Sequence, residues 1–303
     1  MFNHSISLYF SAVFIWGSTF FAIKFQLGEV APQLSVAYRF AIASFMLFGW
    51  SLFKGLPLRF NRTQHLWMAF QGVFLFCLNY LVIYWATSSL TSGLIAVIFS
   101  TIVLMNIANS IVFLRKSASL LMIIGALLGL AGIGLIFAPE ITSFSSSNTS
   151  LTGVGLSLLG TYIASLGNII SAHNQRQKLP VIQTNAYGMA YGAIILLASA
   201  IFQGQPLTFD FSAAYTLSLL YLALFGSVLA FGSYLTLLGR IGPEKAAYTM
   251  VLFPLVALGI STVFENYQWT LSSILGVSLV LLGNVIIIIP KGLLHSFFAL
   301  KKS

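Results

Sequence analysis

The chain has 303 residues, of which 58% are hydrophobic and 6% are charged, and its formal net charge is +9. A soluble globular protein carries about 25% charged residues, so this composition excludes a water-soluble domain and indicates a surface that faces lipid. The apolar runs are continuous, which favours helical spans of about 20 residues over the strands of about ten residues that build membrane barrels. We therefore predict an all-α integral membrane protein.

Ten apolar runs follow one another along the chain, and polar loops or loops with glycine and proline separate them. The first run has no basic segment before it and no clear cleavage site, which favours a retained span over a signal peptide. The predicted spans are residues 6–26, 34–53, 66–86, 92–114, 118–138, 153–172, 182–202, 213–237, 245–264 and 271–290.

The distribution of basic residues predicts the orientation of these spans in the membrane. With a cytoplasmic N-terminus, twelve of the fourteen lysines and arginines fall on the cytoplasmic side, and Lys24 and Arg39 fall on the outer side. An excess of basic residues in cytoplasmic loops is typical of polytopic membrane proteins. We therefore predict ten spans with both termini cytoplasmic, expect a bacterial inner membrane, and interpret the positive charge without a nucleic-acid partner.

A weak internal repeat has a period of 151 residues. GALLGLAGIGLIFAP at 125–139 then aligns with GVSLVLLGNVIIIIP at 276–290, so that glycines and prolines coincide. Five spans per repeat is an odd number, and the two halves are therefore expected to be inverted, as in carriers that work by alternating access. The predicted division is a first repeat at 1–139, an outer linker at 140–152, a second repeat at 153–290 and a basic cytoplasmic tail at 291–303.

Three segments carry a resemblance to a known family. They are Trp16-Gly17 followed by Lys24, SGLIAVIFS at 92–100, and RIGPEKAA at 240–247 with a later proline and glutamate. Together with the five-plus-five layout, they resemble the EamA-type branch of the drug/metabolite transporter superfamily. The resemblance implies a carrier of small organic molecules, such as amino acids or nucleotide-related compounds, and members differ in their cargo.

The two outer basic residues each have two interpretations. Gly17 and Lys24 lie on one face of the first span, and Lys24 is either an anchor that reaches the outer interface or a substrate-binding or gating residue. Arg39 either pairs with Glu29 or reaches water at the interface, or it binds a substrate carboxylate with its guanidinium.

Other candidates are polar or aromatic residues within spans, which either line a cavity or bond neighbouring helices. They are Asn79, Tyr80, Tyr84, Ser100, Asn106, Tyr162, Asn168, Tyr221 and Tyr248. Pro254 is a candidate hinge, since proline kinks a helix. Glu265 is either an interfacial residue or a site for a coupling proton.

We therefore predict a secondary transporter, an exporter or exchanger of a small organic metabolite, that works by alternating access. The partners expected are the solute, the lipid bilayer and, through the glycine faces of the fifth and tenth spans, either the bundle itself or a second copy in a homodimer. The alternatives are a membrane enzyme and a non-transporting receptor or scaffold. The spans show no catalytic constellation and no metal-ligand spacing, so we predict no enzyme, cofactor or metal.

Overall fold

A computed structural model of the chain describes residues 2–114, 120–136, 149–234 and 249–288. The described secondary structure is helical throughout. The first half contains α1 to α7 and one π-helical segment, π1: α1 Phe2–Lys24, α2 Pro32–Phe53, α3 Arg62–Gln71, π1 Gly72–Leu78, α4 Asn79–Thr87, α5 Ser92–Ser100, α6 Ile102–Leu114 and α7 Leu120–Ile136. The second half contains α8 Thr149–Arg176, α9 Val181–Phe202, α10 Ala213–Tyr221, π2 Leu222–Leu229 with helical residues up to 234, α11 Thr249–Phe264 and α12 Leu271–Ile288.

Local sequence explains where several helices begin and end. Pro32 occupies the first turn of α2, where its missing N–H costs nothing. Asn61 and Gln64 form a reciprocal capping box at the start of α3. After α2 and α9 the chain turns at Gly55 and Gly204, whose positive φ angles of 62° and 67° suit glycine.

In the part of the chain that the structure describes, seven helices are long and apolar enough to cross a membrane. Three shorter apolar helices lie at Ile123–Ile136, Thr249–Phe264 and Leu271–Ile286. These ten segments fall where hydropathy predicted spans, and large apolar side chains such as Phe45, Phe53 and Phe202 are exposed on the outside of the bundle. That exposure is expected where lipid replaces water.

The two π-helical segments lie inside the third and eighth spans. Adding the 151-residue period to π1 gives residues 223–229, which lie within π2. Ser227 in π2 donates its hydroxyl to the carbonyl of Leu222, five residues earlier, at 3.1 Å. Each π turn widens the helix by one residue and alters which side chains face the interior.

Glycines allow close helix packing between the two halves of the chain. A Cβ placed on Gly132 in α7 would lie 2.5 Å from the carbonyl oxygen of Gly276 in α12, and Gly283 approaches the carbonyl oxygen of Gly125 equally closely. The glycine faces of the fifth and tenth spans therefore pack against each other within one chain, as small residues do in membrane helix pairs. A dimer through these helices is not shown.

Candidate functional site

A cavity of about 100 Å³ lies in the centre of the bundle, between helices of both halves. None of the described residues that line it is charged. Seven aromatic side chains form much of the described wall: Trp16, Phe20, Tyr80, Phe99, Phe231, Tyr234 and Phe253. Polar groups come from Thr19, Asn79, Tyr80, Asn168, Ser171 and Asn185. An apolar pocket with a few convergent polar groups is the usual form of a small-molecule site.

The helix α1 presents one face to this cavity. Trp16, Thr19, Phe20 and Ile23 line it, at the i, i+3, i+4, i+7 spacing that places residues on one side of a helix. Gly17 points elsewhere, because a Cβ there would lie 2.6 Å from Cβ of Val256 in α11. Gly17 therefore lets α1 and α11 pack closely and does not line the cavity.

Aromatic contacts hold the cavity wall together across the two halves. The Trp16 ring lies 5.4 Å from that of Phe231 and 5.2 Å from that of Tyr234. The rings of Phe20 and Phe253 are stacked at 5.7 Å. Such pairs contribute about 0.5–1.5 kcal/mol beyond the area they bury.

The residues Lys24, Glu265, Ser92 and Ser261 form a charged cluster at the end of the cavity predicted to be outer, and we call it the outer cluster. Nζ of Lys24, at the end of α1, lies 2.5 Å from Oε1 of Glu265, just after α11. The backbone N–H of Ser92, in the first turn of α5, donates to Oε2 of Glu265 at 3.0 Å, and the hydroxyls of Ser92 and Ser261 also donate to it. One carboxylate thus joins three helices.

The outer cluster keeps the Glu265 carboxyl ionised. Burial raises its pKa, but hydrogen bonds from Lys24, Ser261 and Ser92, with the charge of Lys24, lower it by more. The net pKa is below the ordinary value of 4.5. A carboxylate at the start of α5 also interacts favourably with the helix dipole. In this conformation Glu265 holds no proton near neutral pH, and a coupling role for it stays a prediction.

A second set of contacts joins the halves on the same side. The side-chain amide of Gln26, just after α1, donates to the carbonyl of Tyr215 at 2.9 Å and to the hydroxyl of Ser218 at 2.6 Å. The hydroxyls of Ser35 and Tyr215 are 2.9 Å apart. These bonds connect the α1–α2 region to α10, so two polar clusters link the halves of the chain at this end of the bundle.

Arg39 in α2 is 1% exposed. Its Nε donates to the hydroxyl of Ser227 in π2 at 3.0 Å, and its Cζ lies 4.5 Å from the centre of the Tyr80 ring. Gly226 makes room for the guanidinium, since a Cβ there would lie 3.0 Å from Nη2. The predicted ion pair with Glu29 does not form, and the guanidinium does not reach the interface.

The other predicted residues fall into three groups. Asn79, Tyr80 and Asn168 line the cavity, and Asn168 donates to Oδ1 of Asn106 at 3.3 Å. Several others bond or pack helices or lie behind the wall: Ser100 accepts from Asn284, the Tyr221 hydroxyl meets that of Ser18, Tyr84 is buried, and Pro254 is buried inside α11. Tyr162 is 44% exposed on the lipid side, and Tyr248 lies outside the described residues.

Sequence reasoning missed a chain of amides that runs from the cavity to the predicted cytoplasmic side. Asn185 on the cavity wall accepts from Gln71 at 2.8 Å, and Oε1 of Gln71 accepts from Asn174 at 2.9 Å. Asn174 also lines a surface pocket, where the rings of Trp67 and His173 lie 4.1 Å apart. The available signal was the presence of amides within apolar runs, since buried amides must find partners.

Comparison with known proteins places this architecture. The family model described as the EamA-like transporter family matches the chain twice, over residues 4–138 and 151–289. The chain belongs to the EamA-like transporter family. This EamA-like chain is 24% identical to protein PagO of Salmonella typhimurium over 95% of its own length and 94% of that protein's.

Two further relatives are named as transporters. The uncharacterized inner membrane transporter YedA of Escherichia coli is 28% identical, with 84% of this chain and 80% of YedA covered. The uncharacterized transporter YoaV of Bacillus subtilis is 25% identical, with 90% and 92% covered. A crystal structure that is 16% identical covers 94% of this chain and 96% of its own with a TM-score of 0.68, which shows a shared fold. This EamA-like protein is a multi-pass integral membrane transporter.

Proposed function

We propose that this EamA-like protein is a secondary transporter that moves a small organic metabolite, such as an amino acid or a nucleotide-related compound, by alternating access. The observation that carries the proposal is the central cavity, which both halves of the chain line and which contacts between the halves close at one end. A cavity of this kind fits a site that is opened to one side of the membrane at a time. We assign it the role of exporter or exchanger.

The proposal includes two inverted five-helix repeats with cytoplasmic termini in the bacterial inner membrane. The family model matches 4–138 and 151–289 separately, which supports the predicted repeats at 1–139 and 153–290. Under the 151-residue relation α1 corresponds to α8, α2 to α9, α5 and α6 to α11, and α7 to α12. YedA, which is named as an inner membrane transporter, supports the location.

The helix contacts follow this correspondence. The pairs α2 with α9 and α7 with α12 each map onto themselves. The contact of α1 with α11 maps onto that of α8 with α6, and the contact of π1 with α9 maps onto that of π2 with α2. This pattern is expected when a two-fold axis in the membrane plane relates the repeats.

The chemistry of the cavity wall narrows the class of solute that we propose. Oδ1 of Asn79 is buried at the wall and has no hydrogen-bond partner among the described residues. An unpaired buried acceptor costs about 1–3 kcal/mol. We therefore propose that a donor on the bound solute forms a hydrogen bond with this oxygen. The aromatic wall accommodates an apolar or ring-shaped body.

We propose that two copies of the chain form a homodimer through the outward faces of α7 and α12. The glycines at 132, 276 and 283 are already used within the chain. Gly134, by contrast, has open space around its Cβ position and lies among exposed side chains that include Leu127 and Leu130. Cross-linking of a cysteine placed at Gly134 in native membranes tests whether two copies meet there.

Flux in proteoliposomes tests the transport proposal. The purified protein is expected to transport at least one solute from a panel of amino acids, nucleosides and organic cations. The transport rate should saturate with solute concentration and should respond to counter-flow of the same solute. Ala164→Trp fills the cavity wall on α8 and should abolish that flux, whereas Leu159→Trp on the lipid face of the same helix should leave it unchanged. Absence of any flux, or equal flux in both variants, contradicts the proposal.

A further inference from the structure

The buried guanidinium of Arg39 lacks a charged partner in the described part of the chain. The chain has five acidic residues, and three of them, Glu29, Asp210 and Glu265, are described. None forms an ion pair with Arg39, since the carboxylate of Glu265 is taken by Lys24. An unpaired charge inside a membrane protein is costly and is kept at pathways and ligand sites.

Part of the guanidinium is also without hydrogen bonds. Nε donates to Ser227, but Nη1 is buried and has no partner among the described residues. The hydroxyl of Tyr84, which is 0% exposed, lies within reach of the Arg39 guanidinium. No hydrogen bond of good geometry satisfies this hydroxyl among the described residues. Two donors beside one buried cation therefore await an acceptor, and a carboxylate offers two oxygens for such a pair.

Arg39 lies one side-chain layer behind the cavity. The ring of Tyr80 lies over the guanidinium at 4.5 Å and also lines the cavity. Thr19, another lining residue, also lies next to Gly226, the residue whose missing side chain makes room for Nη2 of Arg39. Among the described residues that line the cavity none is charged. Arg39 is a buried cation next to that lining, behind the wall formed by Tyr80 and Thr19.

We propose that the solute carries a carboxylate that binds Nη1 of Arg39 and the hydroxyl of Tyr84 at the edge of Tyr80, with its apolar body against the aromatic wall. This inference rests on the proposed function and narrows it to organic anions and zwitterions. A chloride ion between the two donors is the competing source of the negative charge. The aromatic wall favours the organic anion, since chloride would leave that wall unused.

Matched probes test the inference on the full chain in lipid nanodiscs. Benzoate and benzamide have the same ring and similar shape but differ in charge, and equilibrium dialysis with radiolabelled forms measures their Kd. Wild-type protein is expected to bind benzoate at least 10-fold more tightly than benzamide. Arg39→Gln should weaken benzoate binding roughly 10- to 100-fold and leave benzamide binding within about threefold.

Further variants guard against a folding defect in Arg39→Gln. Tyr84→Phe removes the unpaired hydroxyl with little change of shape and should weaken benzoate binding roughly 3- to 10-fold. Arg59→Gln removes an exposed charge elsewhere and is the control for net charge, with no expected change. If Arg39→Gln does not assemble, Tyr84→Phe alone decides the outcome.

Several results would overturn the inference. Equal affinity for benzoate and benzamide, no binding of either, or unchanged benzoate binding in Tyr84→Phe each contradicts it. Chloride that raises the melting temperature in an Arg39-dependent way without any preference for benzoate assigns the site to an inorganic anion and also contradicts it. Flux of a neutral solute that does not depend on Arg39 contradicts this inference but supports the transport proposal. Benzoate binding without any flux supports this inference but contradicts the transport proposal.

Discussion

The carboxylate of Glu265 is expected to hold the predicted outer end of the protein closed. Glu265→Gln keeps the size of the side chain but removes its charge, and it leaves Nζ of Lys24, 2.5 Å away, without an anionic partner. The donors from Ser92 and Ser261 then meet a neutral amide oxygen. If α1, α5 and α11 separate when the outer side opens, the substitution favours the open state.

The magnitude follows from the bonds involved. A hydrogen bond to a charged group contributes about 1.5–3 kcal/mol and one between neutral groups about 0.5–1.5 kcal/mol. The Lys24 side chain is 32% exposed, so water partly replaces the lost ion pair with Glu265. The contribution of this ion pair is therefore taken as less than about 1 kcal/mol. With the Ser92 and Ser261 bonds added, the change is about 2–2.8 kcal/mol, or roughly 30- to 100-fold in the open-to-closed ratio.

Cysteine labelling measures that ratio. The one native cysteine, Cys77, is buried and is replaced by alanine. A cysteine is then placed at Ile23, which lines the cavity and is 2% exposed. A membrane-impermeant maleimide added to intact cells should modify it roughly 30- to 100-fold faster in the Glu265→Gln background.

A matched control separates closure from surface charge. Glu29 is an exposed acid on the same predicted side and forms no ion pair with a described residue. Glu29→Gln should therefore leave the labelling rate unchanged. Equal labelling of the parent and Glu265→Gln, or an equal increase in Glu29→Gln, would refute the assignment of the outer cluster as the closure.

Three further predictions concern stability, topology and packing. Because the pKa of Glu265 lies below 4.5, its contribution to stability is fully present above that pH and is lost as the pH falls through the lowered pKa; the melting-temperature difference between wild type and Glu265→Gln should be constant from about pH 6 to 8 and shrink below about pH 4.5. Cysteines at Ser88 and Gln177, both exposed, should be labelled from opposite sides of the membrane, and labelling from one side contradicts the span count. Gly132→Leu meets a backbone oxygen within 2.5 Å and should prevent assembly or lower the melting temperature strongly in fluorescence-detected gel filtration, whereas Gly134→Leu faces open space and should be tolerated.

Hydropathy was sufficient to predict where the described apolar helices lie. Continuous apolar runs have no other stable solution in lipid than helices, and the described helices fall within a few residues of the predicted ones. The π-helical segments could not be predicted, because glycine is common in membrane helices and neither Gly72 nor Gly226 by itself indicates a π turn. Both segments pack against helices of the other half, and the local sequence carries no information on those contacts.

The site was predictable only as a set of candidates. Periodicity placed Gly17 and Lys24 on one face of α1, but it could not show that Gly17 packs on Val256 while Lys24 meets Glu265. Both partners come from the other half of the chain. The depth of Arg39 was also hidden, since a residue near the start of a span is equally consistent with an interfacial position.

The interleaving of the two halves has a consequence for how the protein is made. The most extensive contacts, α7 with α12, α2 with α9, α1 with α11 and α4 with α8, all join an early helix to a late one. When the ribosome has delivered residues up to 136, Gly132 still lacks its neighbour Gly276, and Arg39 still lacks its hydrogen-bond partner Ser227. The first five spans must therefore be retained near the insertion machinery or shielded by lipid until the second five arrive. By the same reasoning, the two halves synthesised as separate chains should regain function only when they are inserted together.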